Sequence, residues 1–483
     1  MWMQDNSLFV PVKDPNMAEQ RTAPAIRDLD ARVHDFAVIE STYTPEQAQE
    51  ELARCLKCPT HWCQNACPAN VPVTDFIALA RSGDLEGAYQ LIRSASMLPE
   101  MCSRVCPQEK QCQSNCTRSI RTMAVGIGKL ERYVTEAHYA SGNPEKRAEP
   151  TGKKVAVIGS GPAGLSAAQR LTDLGHSVTV FEKNDRPGGL LEYGIPNMKL
   201  DKEVVDRKVA SLAQQGVAFK TGVNVGVDAK AEDLAAEFDA VVLAVGTGNA
   251  RSLKLEGAEG VRGIVSAVDF LSSTTRAVLD GDEPIVAQGK QVVIVGGGDT
   301  GNDCVGTSLR QGAVSITQIE MLPEKTGRVF IHEAHPPRPA EQKHDFSQEE
   351  CKAKFGDPHV YQTTLKAVQA DGNGEIVSVT TVDLDARYDD HFRLSLHEIP
   401  GSEKTLPCDL LIIAAGFIGP EGYVAQSFGL DTDGRTNIAA PAYAAKGNIF
   451  ACGDCRTGQS LVVKAMVDGR NCADAVDAAL RAQ

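Results

Sequence analysis

Apolar positions recur along the chain with two different periods. Between residues 73 and 96 they follow helical spacing, interrupted near Gly83, which predicts two short helices. After Gly152, buried runs such as Val155–Ile158, Ser177–Phe181 and Ala240–Ala244 alternate with helical stretches. Strands that alternate with helices are typical of βαβ units and a parallel sheet. The pattern therefore predicts an α/β protein with a helical N-terminal part.

Polar, glycine-rich segments divide the chain into blocks. At roughly 150 residues per domain, the 483 residues predict about three domains. Residues 141–152 form a linker rich in Gly and Pro, and Asp280–Pro284 precedes a new strand. The two later blocks each open with Lys, a β-branched run and a glycine turn. We expect a cysteine-rich N-terminal domain to about residue 150, followed by two similar units.

The first glycine turn has the order of elements that a dinucleotide site needs. A strand leads into Gly159-Ser-Gly-Pro-Ala-Gly164 and then into a helix, and Glu182 ends the next strand. The glycines let a pyrophosphate approach the helix N-terminus, and the acid can accept a hydrogen bond from a ribose hydroxyl. This order favours dinucleotide binding over a turn that only packs a helix on a strand. The candidate residues are Gly159, Gly161, Pro162, Ala163, Gly164 and Glu182.

A second copy of the pattern follows later in the chain. Val292–Val295 leads into Gly296-Gly-Gly-Asp-Thr-Gly301, and Ser315–Glu320 forms the following strand. One chain therefore has two dinucleotide folds. The candidate residues of the second fold are Gly296, Gly298, Asp299, Thr300, Gly301 and Glu320.

Further segments extend the similarity to a known flavoprotein architecture. Arg186-Pro-Gly-Gly-Leu-Leu191 follows the first fold, and Phe450-Ala-Cys-Gly-Asp454 ends a late strand. This combination resembles the two-dinucleotide-binding-domain flavoproteins. The resemblance implies FAD in the first fold, with contacts from Gly189, Leu190, Gly453 and Asp454, and NAD(P)H in the second. Without the resemblance, Asp454 could simply cap the last helix.

The same resemblance implies that the NAD(P)H-binding domain is inserted into the FAD-binding domain. Leu243–Gly248 and Ile412–Phe417 are similar to the family's crossings between the two domains. We therefore expect a helical, cysteine-rich N-terminal domain and an FAD-binding domain in two parts that flank an NAD(P)H-binding domain. The expected ranges are 1–150 for the N-terminal domain, 151–285 and 401–483 for the FAD-binding domain, and 286–400 for the inserted domain.

The residue after the second strand bears on the choice of nicotinamide. A 2′-phosphate favours an Arg at this point, whereas a free 2′-hydroxyl favours an acid. Glu320 is followed by Met-Leu-Pro with no adjacent Arg. The sequence therefore favours NADH over NADPH, although Lys325 and Arg328 stand near enough in the chain to leave NADPH open.

Cysteines form a dense block near the N-terminus. Eight of the fourteen lie between Cys55 and Cys116, and without an export signal such a block indicates metal or redox chemistry. The first group is Cys55, Cys58, Cys63 and Cys67, and the second is Cys102, Cys106, Cys112 and Cys116. Closely spaced cysteines ending in Cys-Pro are typical of ferredoxin-type runs, which predicts two [4Fe–4S] clusters with crossed ligation. Zinc is the alternative, and the irregular spacing disfavours it.

The cysteine block also carries a specific family resemblance. Arg54–Cys58, Leu98–Pro107 and Val125–Tyr133 resemble the small (beta) subunit of glutamate synthase, and the N-terminal portion of dihydropyrimidine dehydrogenase is similar. The resemblance assigns Cys55, Cys58, Cys63 and Cys116 to one cluster. It assigns Cys67, Cys106, Cys112 and Glu131 to the other, leaving Cys102 over. Counting thiols alone would prefer Cys102 to Glu131.

Two further patterns suggest other chemistry, and we favour neither. Cys452-Gly-Asp-Cys455 resembles a thioredoxin-reductase-like redox pair, but it overlaps the expected FAD segment, so core cysteines are the preferred interpretation. His332 and His335 lie in a proline-rich stretch, which gives poor metal-ligand geometry. The same stretch departs from the commonest bacterial beta subunits and is more similar to the NADH-using branch.

Charge and hydropathy narrow the functional class. The net charge of -14 and the lack of a long basic run disfavour nucleic acid as a partner. No stretch approaches the ~20 apolar residues of a membrane span, so we expect a cytoplasmic protein without a membrane partner. The resemblance implies an NAD(P)H-dependent flavin and iron–sulfur oxidoreductase that works with a separate large subunit, which forms glutamate.

Two other functions remain open from the sequence. An NAD(P)H:ferredoxin oxidoreductase subunit, or one serving another redox acceptor protein, would use the same cofactors. A cluster-containing scaffold that only senses NADH would use the same nucleotide sites without electron transfer. Rapid bleaching of a tightly bound flavin by NADH would exclude the scaffold.

Overall fold

The fold is described from a computed structural model. It describes residues 15–145, 147–324, 328–329, 338–339, 345–389, 391 and 393–482. No helix in these ranges is both long enough and apolar enough to span a bilayer.

The N-terminal cysteine domain is helical. The predicted break near Gly83 is confirmed, because this residue has a φ of 92° between two helices. Phe76, Tyr89, Leu98 and Leu130 are fully buried in its core. The helices are α1 (Leu29–Arg32), α2 (Pro45–Leu52), α3 (Trp62–Asn65), α4 (Val73–Arg81), α5 (Leu85–Ala95), α6 (Pro99–Val105) and α7 (Ile127–Ser141), with 3₁₀ turns at Gln108–Lys110 and Thr117–Ile120.

A first βαβ unit follows the linker. Its strands β1 and β4 are buried and β-branched, as expected for a parallel sheet covered on both faces. In order, its elements are β1 (Lys154–Ile158), α8 (Pro162–Asp173), β2 (Ser177–Phe181), α9 (Leu190–Tyr193), α10 (Lys202–Gln214), β3 (Ala218–Lys220), α11 (Ala231–Glu237) and β4 (Ala240–Leu243).

The second unit is built in the same way and has an added antiparallel sheet. The βαβ elements are β5 (Ile264–Ser266), α12 (Ala267–Asp280), β6 (Gln291–Val295), α13 (Asp299–Arg310) and β7 (Ser315–Ile319), then the short strands β8 (Arg328–Val329) and β9 (Arg338–Pro339), α14 (Phe346–Phe355) and β10 (His359–Val360). The added sheet contains β11 (Thr363–Ala370), β12 (Ile376–Tyr388), β13 (Leu394–Glu398) and β14 (Lys404–Pro407), and β15 (Leu410–Ile413) returns to the parallel sheet.

The chain then re-enters the first unit. Its last elements are α15 (Gly422–Ser427), a 3₁₀ turn at Pro441–Tyr443, β16 (Ala444–Lys446), β17 (Ile449–Ala451), α16 (Asp454–Thr457) and α17 (Val462–Arg481). Helix α17 packs closely on α8, because a side chain at Gly469 would come within 2.1 Å of the carbonyl oxygen of Ala163. The last helix therefore lies directly behind the first glycine turn.

The two sheets have equivalent strand orders. The first sheet runs β16-β17-β4-β1-β2-β3 and the second runs β5-β15-β6-β7-β10. All neighbouring strands are parallel except β16 and β17. Strands β1, β2, β3 and β4 thus correspond to β6, β7, β10 and β15. Each sheet is completed by a strand from a distant part of the chain, which is β17 in the first and β5 in the second.

The second sheet extends beyond the expected range of 286–400 at both ends. Its edge strand β5 starts at Ile264, and its central strand β15 ends at Ile413. The two crossings between the units pair with each other, with the Ile418 N–H donating to Asn249 O at 2.7 Å and the Arg251 N–H donating to Gly416 O at 2.8 Å. The glycine and proline signal near residue 285 marks the end of α12, not a boundary between sheets.

Candidate functional site

The first glycine turn is shaped by close backbone contacts. Gly159 has a φ of 96°, and a side chain there would lie 2.5 Å from Ala244 O. A side chain on Gly164 would lie 2.0 Å from Gly159 O. By contrast, a side chain on Gly161 would meet no protein atom within 4 Å. Gly159 and Gly164 are needed for the turn itself, whereas Gly161 leaves open space at the N-terminus of α8, where a pyrophosphate fits.

Glu182 is fixed against this turn. Its Oε2 accepts hydrogen bonds from the Ser160 N–H at 3.0 Å and the Ser160 hydroxyl at 2.5 Å, and its Oε1 accepts from the Asn184 N–H at 2.8 Å. The Ser160 hydroxyl in turn accepts from the Gly188 N–H at 3.0 Å. Sequence reasoning missed the role of Ser160. Its hydroxyl, which lies inside the glycine turn, connects Glu182 to the glycine pair Gly188-Gly189.

Residues far apart in the sequence meet at this turn. A side chain on Gly189 would lie 2.9 Å from the Cα of Gly161, and a side chain on Gly453 would lie 2.6 Å from the Cβ of Ala163. The glycine turn, the Gly189-Leu190 segment and the Gly453-Asp454 segment therefore form one continuous cradle. These are the three segments from which the sequence predicts FAD contacts.

Asp454 begins α16 at the edge of this cradle. Burial raises the pKa of its carboxyl group to about 6, and Ser460 Oγ donates a hydrogen bond to its Oδ1 at 3.0 Å. Gln459, which follows α16, contacts the crossing between the units, since its Oε1 accepts a hydrogen bond from the Phe417 N–H at 2.8 Å.

The second glycine turn repeats the contacts of the first. A side chain on Gly296 would lie 2.5 Å from Ala414 O, and one on Gly301 would lie 2.0 Å from Gly296 O. A side chain on Gly298 would meet no protein atom within 4 Å. Asp299 and Thr300 open α13 directly after this glycine. The second unit thus has the same open helix N-terminus as the first.

Glu320 occupies the position in the second unit that Glu182 has in the first. Its Oε2 accepts a hydrogen bond from the Gly297 N–H at 3.1 Å, and its Oε1 accepts from the Leu322 N–H at 2.8 Å. These bonds place the carboxylate at the carboxyl edge of the sheet, beside the glycine turn. Lys325 lies outside the described residues, as do His332 and His335.

In the cysteine domain, four thiols from two distant groups surround one cavity. The cavity is lined by Cys55, Cys58, Cys63 and Cys116, with Trp62, Val73, Ile77 and Ile127 among its other walls. These are the four cysteines that the family resemblance assigns to one cluster. Burial raises the pKa of the thiols of Cys55, Cys63 and Cys116 above the ordinary thiol range.

The other thiols gather around Glu131. The carboxyl group of Glu131 acts electrostatically on Cys67, Cys106 and Cys112, and burial raises its own pKa to about 8. Its Oε1 is buried without a hydrogen-bond partner. A buried carboxyl oxygen without a hydrogen-bond partner beside three thiols is a chemically suitable donor set for a [4Fe–4S] cluster, whose binding would require the carboxyl group and the thiols to lose their protons.

Cys102 differs from the other seven cysteines of the block. It is 4% exposed, whereas the others are partly open. Its Sγ lies 3.9 Å from Met466 Sδ on α17, and its thiol also contacts that of Cys106. Cys102 is therefore packed between the cysteine domain and the first unit, although it lies next to a predicted ligand.

Within the described ranges, no group of three or more His, Cys, Asp or Glu side chains is arranged to hold a single metal ion.

Cys452 and Cys455 are fully buried. The Cys455 thiol donates to Cys452 O at 3.1 Å, and the pKa of both thiols is raised, with burial and, for Cys452, the contact with Cys472 as causes. Raised thiol pKa values and full burial are typical of inert core cysteines. A redox pair that exchanges disulfides with a partner needs exposed thiols of lower pKa.

Sequence reasoning missed a buried acid beside the first cradle. Glu192 on α9 is fully buried, and neither carboxylate oxygen has a hydrogen-bond partner. Burial raises its pKa to about 7 despite the nearby Lys202, whose own pKa is lowered to about 8 by burial. Lys202 Nζ donates to Leu191 O at 2.9 Å and to Ile195 O. The available signal was an acid three residues after the glycine pair.

Comparison with known proteins agrees with this geometry. The model of the family "dihydropyrimidine dehydrogenase domain II, 4Fe-4S cluster" matches residues 32–143, and that of the family "pyridine nucleotide-disulphide oxidoreductase" matches residues 153–469. The glutamate synthase [NADPH] small chain of Bacillus subtilis is 37% identical over 479 residues, covering 95% of this chain and 97% of that protein.

The chain belongs to the glutamate synthase small-chain family. It is therefore an NAD(P)H-dependent flavin oxidoreductase with a [4Fe–4S] domain, which confirms the predicted family, fold and cofactors. Glutamate synthase [NADH] of Schizosaccharomyces pombe is also 37% identical over 475 residues, which are 95% of this chain and 22% of that protein. FprA of Mycobacterium tuberculosis, solved with NADPH, shares the fold with a TM-score of 0.53 at 16% identity, over 69% of this chain and 85% of FprA.

Proposed function

We propose that this protein is the electron-entry subunit of a glutamate synthase. It oxidises NADH in preference to NADPH and delivers the electrons to a large subunit that forms L-glutamate from L-glutamine and 2-oxoglutarate. The observation that carries this proposal is the convergence, in one chain, of two dinucleotide turns and a block of seven thiols with one carboxylate.

The first unit would hold FAD through its cradle. Gly161 leaves room for the pyrophosphate at α8, while Ser160 and Asn184 orient the Glu182 carboxylate for a ribose hydroxyl. Gly189, Leu190 and the Gly453-Asp454 segment complete the cradle. A bound FAD supplies the conversion from a two-electron donor to one-electron carriers.

In the second unit, Gly298 leaves the N-terminus of α13 open for the pyrophosphate of NAD(P)H. The Glu320 carboxylate can accept hydrogen bonds from the 2′- and 3′-hydroxyls of an adenosine ribose, and it would repel a 2′-phosphate. This carboxylate supports the preference for NADH, although the Bacillus subtilis relative is named for NADPH.

For the clusters we propose the crossed assignment. One set is Cys55, Cys58, Cys63 and Cys116, supported by the cavity that these four residues line. The other is Cys67, Cys106, Cys112 and Glu131, supported by the unpaired Oε1 of Glu131 and by the packing of Cys102. The chain would then divide into a cluster domain that ends in the linker, a second unit between the crossings near residues 249 and 418, and a first unit made of the rest.

The large subunit is the proposed electron acceptor because of the lengths of the relatives that the chain matches. The chain matches nearly the full length of proteins named small chain, and it matches one part of the longer glutamate synthase of Schizosaccharomyces pombe. Ferredoxin or another redox protein is the alternative acceptor. The free cysteines also fit the reducing cytoplasm, where we propose that the protein works.

The decisive experiment uses the protein purified without oxygen, with flavin and iron retained. Bleaching of the flavin by NADH and NADPH is followed by stopped flow, and cluster reduction by EPR on the same samples. We expect faster bleaching with NADH, and glutamate formation when the large subunit is added. Absence of bleaching with both nucleotides would overturn the electron-entry function. Bleaching without glutamate formation, but with ferredoxin reduction, would favour the alternative acceptor.

A further inference from the structure

A segment near the N-terminus, which we call the strap (residues 27–40), contacts all three parts of the molecule. At one end, Glu40 forms an ion pair with Lys129 on α7, and its backbone carbonyl accepts a hydrogen bond from Arg132 at 3.0 Å. This end is thus attached to the cysteine domain.

The middle of the strap crosses the first unit. Asn197 Nδ2 donates to Phe36 O at 3.0 Å, and the Ile39 N–H donates to Met198 O at 3.2 Å. Both contacts fall on the loop between α9 and α10, which continues from the glycine pair of the FAD cradle. The strap therefore lies directly on the segment that leads away from the flavin-binding residues.

The other end of the strap is buried in the second unit. Arg32 is 3% exposed, its Nε lies 2.7 Å from Glu350 Oε1 on α14, and it also pairs with Glu349. Glu350 is shared with Arg310 of α13, at 2.7 Å, and both of these side chains are fully buried. Val33 packs on the hydrophobic core of the second sheet. Arg310 Nε donates to Asp35 O at 2.8 Å.

Covalently, the second unit is joined to the first through the two paired crossings near Asn249 and Ile418. Gly246, Gly416 and Gly419 in these crossings have positive φ values. A single two-stranded connection with glycines is the kind of element that can act as a hinge. Contacts away from the connection must then fix the orientation of the second unit.

Direct contacts also join the second unit to the loop under the strap, and α12 contacts α9 of the first unit through the Ser272 hydroxyl, which donates to Tyr193 O at 3.1 Å. Lys199, in the loop under the strap, forms a 2.6 Å ion pair with Asp303 on α13. In the same region, a side chain on Gly306 of α13 would lie 2.7 Å from the Met198 methyl group. The helix whose N-terminus would bind NAD(P)H thus faces the loop that continues from the FAD cradle.

We infer that the strap holds the NAD(P)H-binding unit in the orientation required for hydride transfer, with Arg32 as the positioning residue. Arg32 touches neither nucleotide site and acts through α14 and α13. The inference rests on the proposed function, because it assumes that NAD(P)H reduces a flavin in the first unit. A misplacement of about 1 Å between reacting groups can lower a rate about a hundredfold.

Arg32→Gln is the direct test. Glu350 keeps its pair with Arg310 in this variant, so no buried carboxylate loses all its partners and we expect the protein to fold. We expect flavin bleaching by NADH in a single turnover to slow at least tenfold. The Kd for NAD⁺ and the flavin and iron contents should stay within twofold, since Arg32 contacts none of these sites. Arg32→Lys should recover most of the rate.

A matched control lies away from the strap. Arg387 on β12 pairs with Asp385 at 2.6 Å and is 64% exposed, so Arg387→Gln should leave bleaching unchanged. Glu349→Gln is a milder second variant, because Glu349 is 42% exposed and is only the outer partner of Arg32. It should give a smaller decrease than Arg32→Gln, even if the latter is poorly stable.

Amide hydrogen exchange measures whether the strap stabilises the second unit, and it requires no redox step. In Arg32→Gln we expect faster exchange in α13 and α14 and at the paired crossings, with no change in β1 and β2. Unchanged hydrogen exchange together with an unchanged bleaching rate would overturn the inference. Faster flavin bleaching would also overturn it, because the strap would then hold the second unit away from the flavin. Failure of the proposed function would show instead as no bleaching in the parent protein, while the exchange result still reports on the strap.

Discussion

Glu320 Oε2 accepts a hydrogen bond from the backbone N–H of Gly297 at 3.1 Å. The equivalent bond in the first unit joins Glu182 Oε2 to the Ser160 N–H at 3.0 Å. In each case the second oxygen accepts from the N–H two residues later, at 2.8 Å. The two acids are therefore held at the same place on two equivalent folds. This equivalence supports the proposal that Glu320 belongs to the nucleotide site of the second unit.

The first prediction concerns nicotinamide choice. Glu320→Ala should lower kcat/KM for NADH about tenfold or more, because hydrogen bonds to a charged acceptor contribute about 1.5–3 kcal/mol. For NADPH the value should stay level or rise, because a repulsive charge is lost. Initial rates of flavin-dependent dye reduction with both nucleotides measure the ratio. Glu324→Gln, an exposed acid in the same loop, is the control. An equal loss with both nucleotides would contradict the proposed role of Glu320.

The second prediction separates two glycines of the second turn. Gly298→Ala should fold normally, because the methyl group added at this position would meet no protein atom within 4 Å. It should still weaken NADH binding at least tenfold, because the methyl group occupies the space left for the pyrophosphate. Titration of NAD⁺ by equilibrium binding measures the Kd.

Gly301→Ala is the comparison for this glycine pair. Its side chain would lie 2.0 Å from Gly296 O, so we expect lower thermal stability of the second unit as well as weaker binding. Full flavin content in both variants would show that the first unit is intact. Normal nucleotide affinity in Gly298→Ala would place the dinucleotide elsewhere.

The third prediction concerns the ligands of the second cluster. Glu131→Leu should reduce the iron content from about eight to about four per chain, because one [4Fe–4S] cluster loses a ligand. Cys102→Ser should keep both clusters, since Cys102 packs against Met466. Iron analysis and EPR of the reduced proteins distinguish them, with Cys112→Ser as the reference for the loss of a ligand. The reverse pattern would assign the fourth ligand to Cys102.

The fourth prediction concerns pH and stability. Burial raises the pKa of Glu192 in the folded protein to about 7, from an ordinary value of 4.5. A carboxyl group with a raised pKa in the folded state destabilises the fold progressively as the pH rises through this window. Glu192→Gln should therefore raise the unfolding temperature by about 2–4 °C at pH 8, and by less at pH 5.5. Thermal unfolding at both pH values measures the difference.

Glu203→Gln is the matched control, because Glu203 is an exposed acid on α10. It should leave the unfolding temperature unchanged at both pH values. A decrease at pH 8 in Glu192→Gln would mean that the ionised carboxylate stabilises the fold through Lys202. The linkage would then have the opposite sign.

Local chemistry explains why so much of the fold could be predicted. The break between α4 and α5 at Gly83 follows from apolar periodicity and one glycine with positive φ. Both dinucleotide turns follow from glycines that the backbone itself requires, since side chains on Gly164 and Gly301 would meet a carbonyl oxygen in the same turn. These features depend on neighbours within a few residues, so the pattern is visible in the sequence.

The extent of the second sheet could not be predicted in this way. Strand β5 has three residues, and its pairing with β15, about 150 residues later, is decided by sheet closure and not by composition. The buried partners of Arg32 and the unpaired oxygens of Glu192 have the same origin. Nothing in the residues around Arg32 distinguishes it from an ordinary surface arginine.

The sequence by itself determined the family, the cofactor classes and the two nucleotide turns, because spacing and glycine position impose these features locally. The family resemblance also grouped Cys55, Cys58, Cys63 and Cys116, which line one cavity in the structure. The tertiary structure alone decided that Cys102 packs on α17 and that the strap joins three parts of the chain. These relationships join residues tens to hundreds of positions apart. They arise when helices and sheets pack and bring buried apolar surfaces and charged groups into contact. The spacing of residues along the chain does not specify these contacts.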